Sequence, residues 1–120
     1  MTVEQCYQAI DGDYEAATRR LMNDGMIEKF LSKFLADESY ADLCQAFEEK
    51  DYPKAFKAAH SLKGVSQNMG FDPLSVPAVE LTEELRDGQV SEKAFTLYES
   101  VKENYDRIKQ VILEFQNSTP

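Results

Sequence analysis

The only histidine of the 120-residue chain, His60, stands inside KAAHSLKGVSQNMGF at 57–71. Lys63 follows at three residues, Gly64 at four and Gln67 at seven. A helix turns about 100° per residue, so Phe56, Lys57, Lys63, Gly64 and Gln67 fall within about 60° of His60. The opposite arc collects Ala55, Ala58, Ala59, Leu62, Val65, Ser66 and Met69. All but the small serine are apolar, which marks the core face. His60 is therefore the centre of an outward face. A lone surface histidine is usually just solvated, but these neighbours argue for more. A glycine in a helix interior costs about 1 kcal/mol against alanine, and nothing on the core side asks for Gly64. It removes bulk beside the imidazole and lets a large body approach. Phe56, one turn earlier, is an apolar ring on a polar face and completes a docking patch with Gly64 and Lys57. Lys63 can place an ammonium beside whatever the imidazole carries. An imidazole is largely neutral and nucleophilic near pH 7. An exposed nucleophilic nitrogen with a cation one turn away suits transient phosphorylation.

The elements that hold this face are helical. Apolar residues recur at three and four, and no stretch alternates as a strand does. Thr2 and Gln5 have capping-box spacing, which predicts a short helix over 2–10. The apolar pattern then continues across Gly12 to Leu21, so Gly12 reads as a kink. A longer helix is predicted from about Met26 to Lys50, bent near Asp37 where its apolar stripe slips in phase. Asp51 and Pro53 open the helix of His60, and Gly70 closes it. The prolines at 73 and 77 delay the next helix to about Ser75, and it runs to Asp87. Ser91 caps the last helix, whose Ala94, Tyr98, Val101, Tyr105, Ile108, Ile112 and Phe115 keep heptad spacing. With other amphipathic helices and short loops beside it, a bundle is favoured over a coiled coil.

Composition narrows the function classes. The chain is 42% hydrophobic with 7 Phe and 6 Tyr, enough for one core without a disulfide or metal staple. Its formal net charge of −9 argues against nucleic-acid and anionic membrane partners, which need clustered Lys and Arg. No apolar run reaches membrane-spanning length and the first residues are polar rather than a signal peptide. Cys6 and Cys44 lie far apart, and with one histidine they cannot assemble a zinc site. Both read as buried thiols of a reducing, cytoplasmic compartment. No phosphate-cradling glycine loop is present, and there is no second histidine for a base–nucleophile pair. A di-iron bundle would need Glu three residues before His60, where Lys57 stands. The acidic clusters Glu48-Glu49-Asp51 and Glu83-Glu84 read as solvated faces.

The stretch AHSLKGVSQNMGF, Ala59 to Phe71, resembles the H-x-L-K-G-x-x-x-x-x-G signature of histidine-containing phosphotransfer (HPt) domains. Leu81, Glu83, Leu85 and Arg86 ahead of Asp87-Gly88 look like the helix that follows the phosphorylation site in that family. RLMNDGMIEKFLSKFLAD is similar to its opening, so the resemblance covers nearly the whole chain. Val65 departs from it, standing where a small Ser or Ala is common, but it faces the core.

The resemblance implies an all-α fold, an antiparallel up-down-up-down four-helix bundle with one or two short N-terminal helices. The whole chain, 1–120, is then one domain, with a bundle core at about 26–117 and an N-terminal helical cap at 2–22. It implies that His60 Nε2 accepts the phosphoryl group, that Lys63 neutralises its oxygens and that Gly64 clears space for a receiver domain. Gln67 could hydrogen-bond the imidazole or the phosphoryl group. Such a protein has no autonomous kinase or hydrolase activity and no cofactor or metal of its own. The receiver partner brings the phospho-aspartate and the Mg²⁺. The partners implied are a response-regulator receiver domain, a hybrid histidine kinase, or both. The last helix has its heptad stripe used within the bundle, so a monomer is expected. Met1 and the STP tail favour a stand-alone protein.

Two other readings stay open. The chain could be a phosphotransfer domain phosphorylated directly by a chemotaxis-type histidine kinase. It could instead be an HPt-like adaptor that binds without transfer, although an adaptor has no need of the intact H-x-L-K-G.

Overall fold

Polar side chains set most of the helix starts. The computed structural model describes residues 1–118. Thr119 and Pro120, the end of the tail noted above and of the expected 1–120 domain, lie outside the described residues. Helix α1 (Val3–Ile10) opens with the capping box expected: Thr2 Oγ1 accepts from the Gln5 amide, and Gln5 Oε1 from the Thr2 amide. Helix α2 (Tyr14–Leu21) is capped by Asp13 and α3 (Asp24–Ala36) by Asn23. After α4 (Ser39–Glu49), Asp51 caps α5 (Tyr52–Met69), which carries Pro53 in its first turn and ends at Gly70 with φ 71°. Helix α6 (Asp72–Glu84) follows, and Ser91 Oγ accepts from the Ala94 amide at the start of α7 (Glu92–Ser118). No strand forms among the described residues.

Four boundaries and one thiol differ from the sequence expectations. Gly12 is not a kink but a break, because Asp11 turns left-handed at φ 61° and Asp13 starts a new helix. The helix expected over 26–50 is two helices. Asp37 is extended (ψ 134°) and its carboxylate takes the Ser39 amide, an alternative to the helical bond. Helix α6 begins at Asp72, earlier than Ser75, because the Phe71 carbonyl accepts from both Leu74 and Ser75 amides. Pro77 is therefore inside the helix, with its ring buried. The same helix ends at Glu84, before Asp87, where the chain turns through Leu85 and Gly88 (φ 73°). Cys6 is buried as expected, but Cys44 is only half-buried.

Helix α5 packs against α4 on one side and α6 on the other, and α6 packs against α7. The 27 residues of α7 rise about 40 Å, close to the 45 Å long dimension of the molecule. All seven heptad residues of α7 are buried. Aromatic rings fill the seams: Tyr40 stacks on Tyr105 at 3.7 Å, Phe47 on Tyr98 at 3.9 Å, and Phe34 meets Phe71 edge-on at 5.1 Å.

The N-terminal pair clips onto the end of α5. Met69 is the last residue of α5, so its carbonyl has no intrahelical donor. The Tyr7 hydroxyl supplies the missing donor at 2.6 Å, in a buried position. The Asp13 amide donates to Gly70 O at 2.7 Å, and the Arg20 guanidinium donates to Gln67 O. Gly70 is required here twice over: it has a positive φ, and a Cβ would lie 2.7 Å from Asp13 O. From the other side, Arg107 of α7 donates to Ile10 O at 2.8 Å and pairs with Asp11 at 3.2 Å.

Tyr7→Phe leaves the Met69 carbonyl buried without a donor. It is expected to lower unfolding free energy by about 1–3 kcal/mol, seen as a lower urea midpoint at constant slope. An unmoved midpoint would show that the hydroxyl does not hold α1 to α5.

Candidate functional site

Six alanine, leucine, serine and methionine side chains tie one face of α5 to the core: Ala55, Ala58, Ala59, Leu62, Ser66 and Met69 are buried. Val65 is half-buried against the same core. Ser66 loses no hydrogen bond by its burial, since its hydroxyl donates to Leu62 O at 2.8 Å. With that face committed, the geometry of the helix leaves His60 on the outside, and it is exposed.

The His60 ring lies near-parallel to the half-buried Phe56 ring, with centroids 6.3 Å apart and planes at 28°. The Arg86 guanidinium, from the turn after α6, sits over the same Phe56 ring at 5.6 Å. Arg86 is in turn held by Glu83 through two hydrogen bonds, Nη2–Oε1 at 2.6 Å and Nε–Oε2 at 3.1 Å. Those bonds hold the Glu83 carboxyl below the usual carboxylate range, and the charges of Arg86 and Lys63 act in the same direction. Glu83 raises Arg86 reciprocally. Phe56, His60, Glu83 and Arg86 thus form one connected patch between α5 and α6, with the charge of Lys63 bearing on Glu83.

The other residues singled out by spacing point to different sides of the same helix. A Cβ placed on Gly64 would meet nothing within 4 Å, so the space beside His60 is open. Gly64 and Gln67 line a polar cleft of about 580 Å³ with Arg20 of α2 and Asp72 and Ser75 of α6. Gln67 lies two turns, about 10 Å, along the axis from His60. Its side chain makes no hydrogen bond to the imidazole among the described residues, while its carbonyl accepts from Arg20. Lys57 is exposed and faces α4, in a groove shared with Asp42 and Lys54. A smaller apolar groove, about 190 Å³, runs between α3 and α5 over Phe30, Phe34, Val65 and Met69.

By sequence alone Glu83 reads as a solvated acid, and nothing assigns Arg86 a part in the site. The signal was present as the i, i+3 spacing of Glu83 and Arg86. Nothing local marked Arg20, whose role depends on the fold bringing α2 to α5. Elsewhere the candidates are few. Burial pushes the Cys6 thiol up to about 11, which removes it as a nucleophile near neutral pH. Among the described residues, no three metal-ligating side chains gather, and no helix is long and apolar enough to cross a membrane.

Compared with known proteins, residues 26–111 match the family model described as the Hpt domain. No curated protein and no solved structure matches the chain. The matched span includes α4, α5 and α6 entire, and leaves out α1 and α2.

The open space at Gly64 yields a stability prediction. Gly64→Ala adds a methyl where nothing obstructs it, and removes a helix-interior glycine. It is expected to stabilise the protein by about 1 kcal/mol, read as a higher thermal midpoint. A lower midpoint would show that the glycine serves the fold rather than the face.

Proposed function

The chain belongs to the Hpt domain family, and from that premise we propose that it relays a phosphoryl group on His60 between receiver domains of two-component signalling. Family membership carries the general role, histidine phosphotransfer. The observation that supports His60 as the acceptor is its exposure beside an empty approach at Gly64, on the outer face of a helix whose inner face is fixed by the core.

In the proposed reaction, the Nε2 lone pair attacks the phosphorus of an aspartyl phosphate on the receiver. The P–N bond forms as the P–O bond to the aspartate breaks, and the carboxylate leaves with the bonding pair. Nδ1 keeps its proton throughout, and the reverse step returns the phosphoryl group to another receiver. Lys63 offers an ammonium to oxygens whose charge must be held in place. Mg²⁺ belongs to the receiver. This chain contributes position and charge, and no hydrolytic or kinase step of its own. Phe56, Lys57, Gly64 and Gln67 surround His60 as the footprint of the partner, with Gln67 placed to meet the partner more than the imidazole. Helices α3 and α4, counted as one member, serve with α5, α6 and α7 as the antiparallel four-helix bundle, with α1 and α2 as a cap. We place the protein in the cytoplasm as a monomer, where receivers and hybrid kinases present their aspartates.

Two variants test this reading. His60→Gln should keep the helical circular dichroism of the parent and accept no label from a phosphorylated receiver. Labelling equal to the parent would remove His60 from the mechanism. Gly64→Gln should fold as well, since its side chain enters open space, yet slow transfer at least about tenfold by obstructing close approach of the reacting atoms. Unchanged transfer would discard the docking role of Gly64 and leave that of His60 standing.

A further inference from the structure

The Glu83–Arg86 pair is out of place as a stability device. Both side chains are more than half exposed, at 57% and 56%, where an ion pair contributes little to folding. It is well placed for another purpose. Arg86 lies over the ring that lies beside His60, and Glu83 feels the charges of both Arg86 and Lys63. Glu83 is thus paired with Arg86, and the charge of Lys63 bears on the same carboxylate.

We infer that Glu83 is a placeholder counter-ion: its carboxylate holds Arg86 while His60 is free, and yields Arg86 to the phosphoryl oxygens once His60 is phosphorylated. The inference rests on the reading of His60 given above. A phosphoryl group brings close to two negative charges and three strong acceptors. A guanidinium pairs with such oxygens in a bidentate fork at least as well as with a carboxylate. The exposed Arg86 side chain can move across the Phe56 face without losing its contact with the ring. Glu83 then has two effects on phosphohistidine. It competes for the guanidinium that stabilises the phosphoryl group, and to a smaller extent its own charge opposes that group. Both make the phosphoryl group easier to give away, so Glu83 acts as a positioning residue that sets how tightly the site keeps its cargo.

The test uses phosphoramidate, a small donor that needs no receiver. Its P–N bond breaks, ammonia leaves, and a P–N bond to His60 forms. Phosphohistidine is followed by ³¹P NMR at fixed donor, and its lifetime after the donor is removed. Glu83→Gln should raise labelled fraction and lifetime about two- to fivefold, the scale of an exposed charge pair. Arg86→Gln should lower both by a similar factor, and Arg86→Lys should recover part of the loss. In the double variant, Glu83→Gln should lose most of its effect, because the cation it releases is gone. All of these differences should shrink in about 1 M salt. A Glu83→Gln protein with parental lifetime, or a full Glu83→Gln effect without Arg86, overturns the inference while His60 keeps its role. A parent that takes no label, or a His60→Gln variant that takes as much, overturns the reading of His60 and this inference with it.

Discussion

Helix α5 ends with carbonyls that its own chain does not fully satisfy, and the rest of the molecule is arranged around meeting that need. The last turn of any α-helix leaves acceptors without intrahelical donors. In α5 the deficit includes the carbonyl of Met69, its last residue. Tyr7, Asp13 and Arg20 meet it from two other helices. These donors determine where α1 and α2 lie. They also fix the end of the helix that carries His60, so its rotation about its own axis is settled from both ends: Asp51 at one, the clip at the other. A face that must meet a partner in a defined orientation gains from such pinning.

Small side chains do the complementary work along the length of α5. Alanines at 55, 58 and 59 and a serine at 66 bring neighbouring helices close without demanding a broad apolar stripe. The other half of the circumference is therefore left free for polar residues and one half-buried ring. The chemistry of the outward face is thus a consequence of how little of α5 the core requires.

Much of this was legible in the sequence. The caps at Thr2, Asp51, Ser91 and Gly70 are short-range chemistry at fixed spacing, and the structure places them as the spacing predicts. The α7 heptad and the two faces of α5 are periodicities, equally local. What was not legible depends on tertiary context. At Asp37 the slip in the apolar stripe predicts only a bend, but the helix breaks, because the carboxylate captures an amide two residues on. Pro77 sits within α6, where local propensity argues against it, because Phe71 is buried and starts the helix early. In the candidate site, the residues within one turn of His60 could be read from a helical wheel. Arg20 and the cation over Phe56 could not, since each comes from another helix or the turn beyond it.

The clip has a meaning in time as well as in space. Helices α4 to α7 pack mainly on their neighbours in the chain, contacts of short loop closure that form quickly. The clip joins Tyr7 to Met69 and Arg107 to Ile10, across 62 and 97 residues. Closing such spans costs more chain entropy and brings its return only when α5 and α7 already exist. The loop-entropy cost of the fold is thereby concentrated in the amino-terminal clip, while the packing of α4 to α7 stays local.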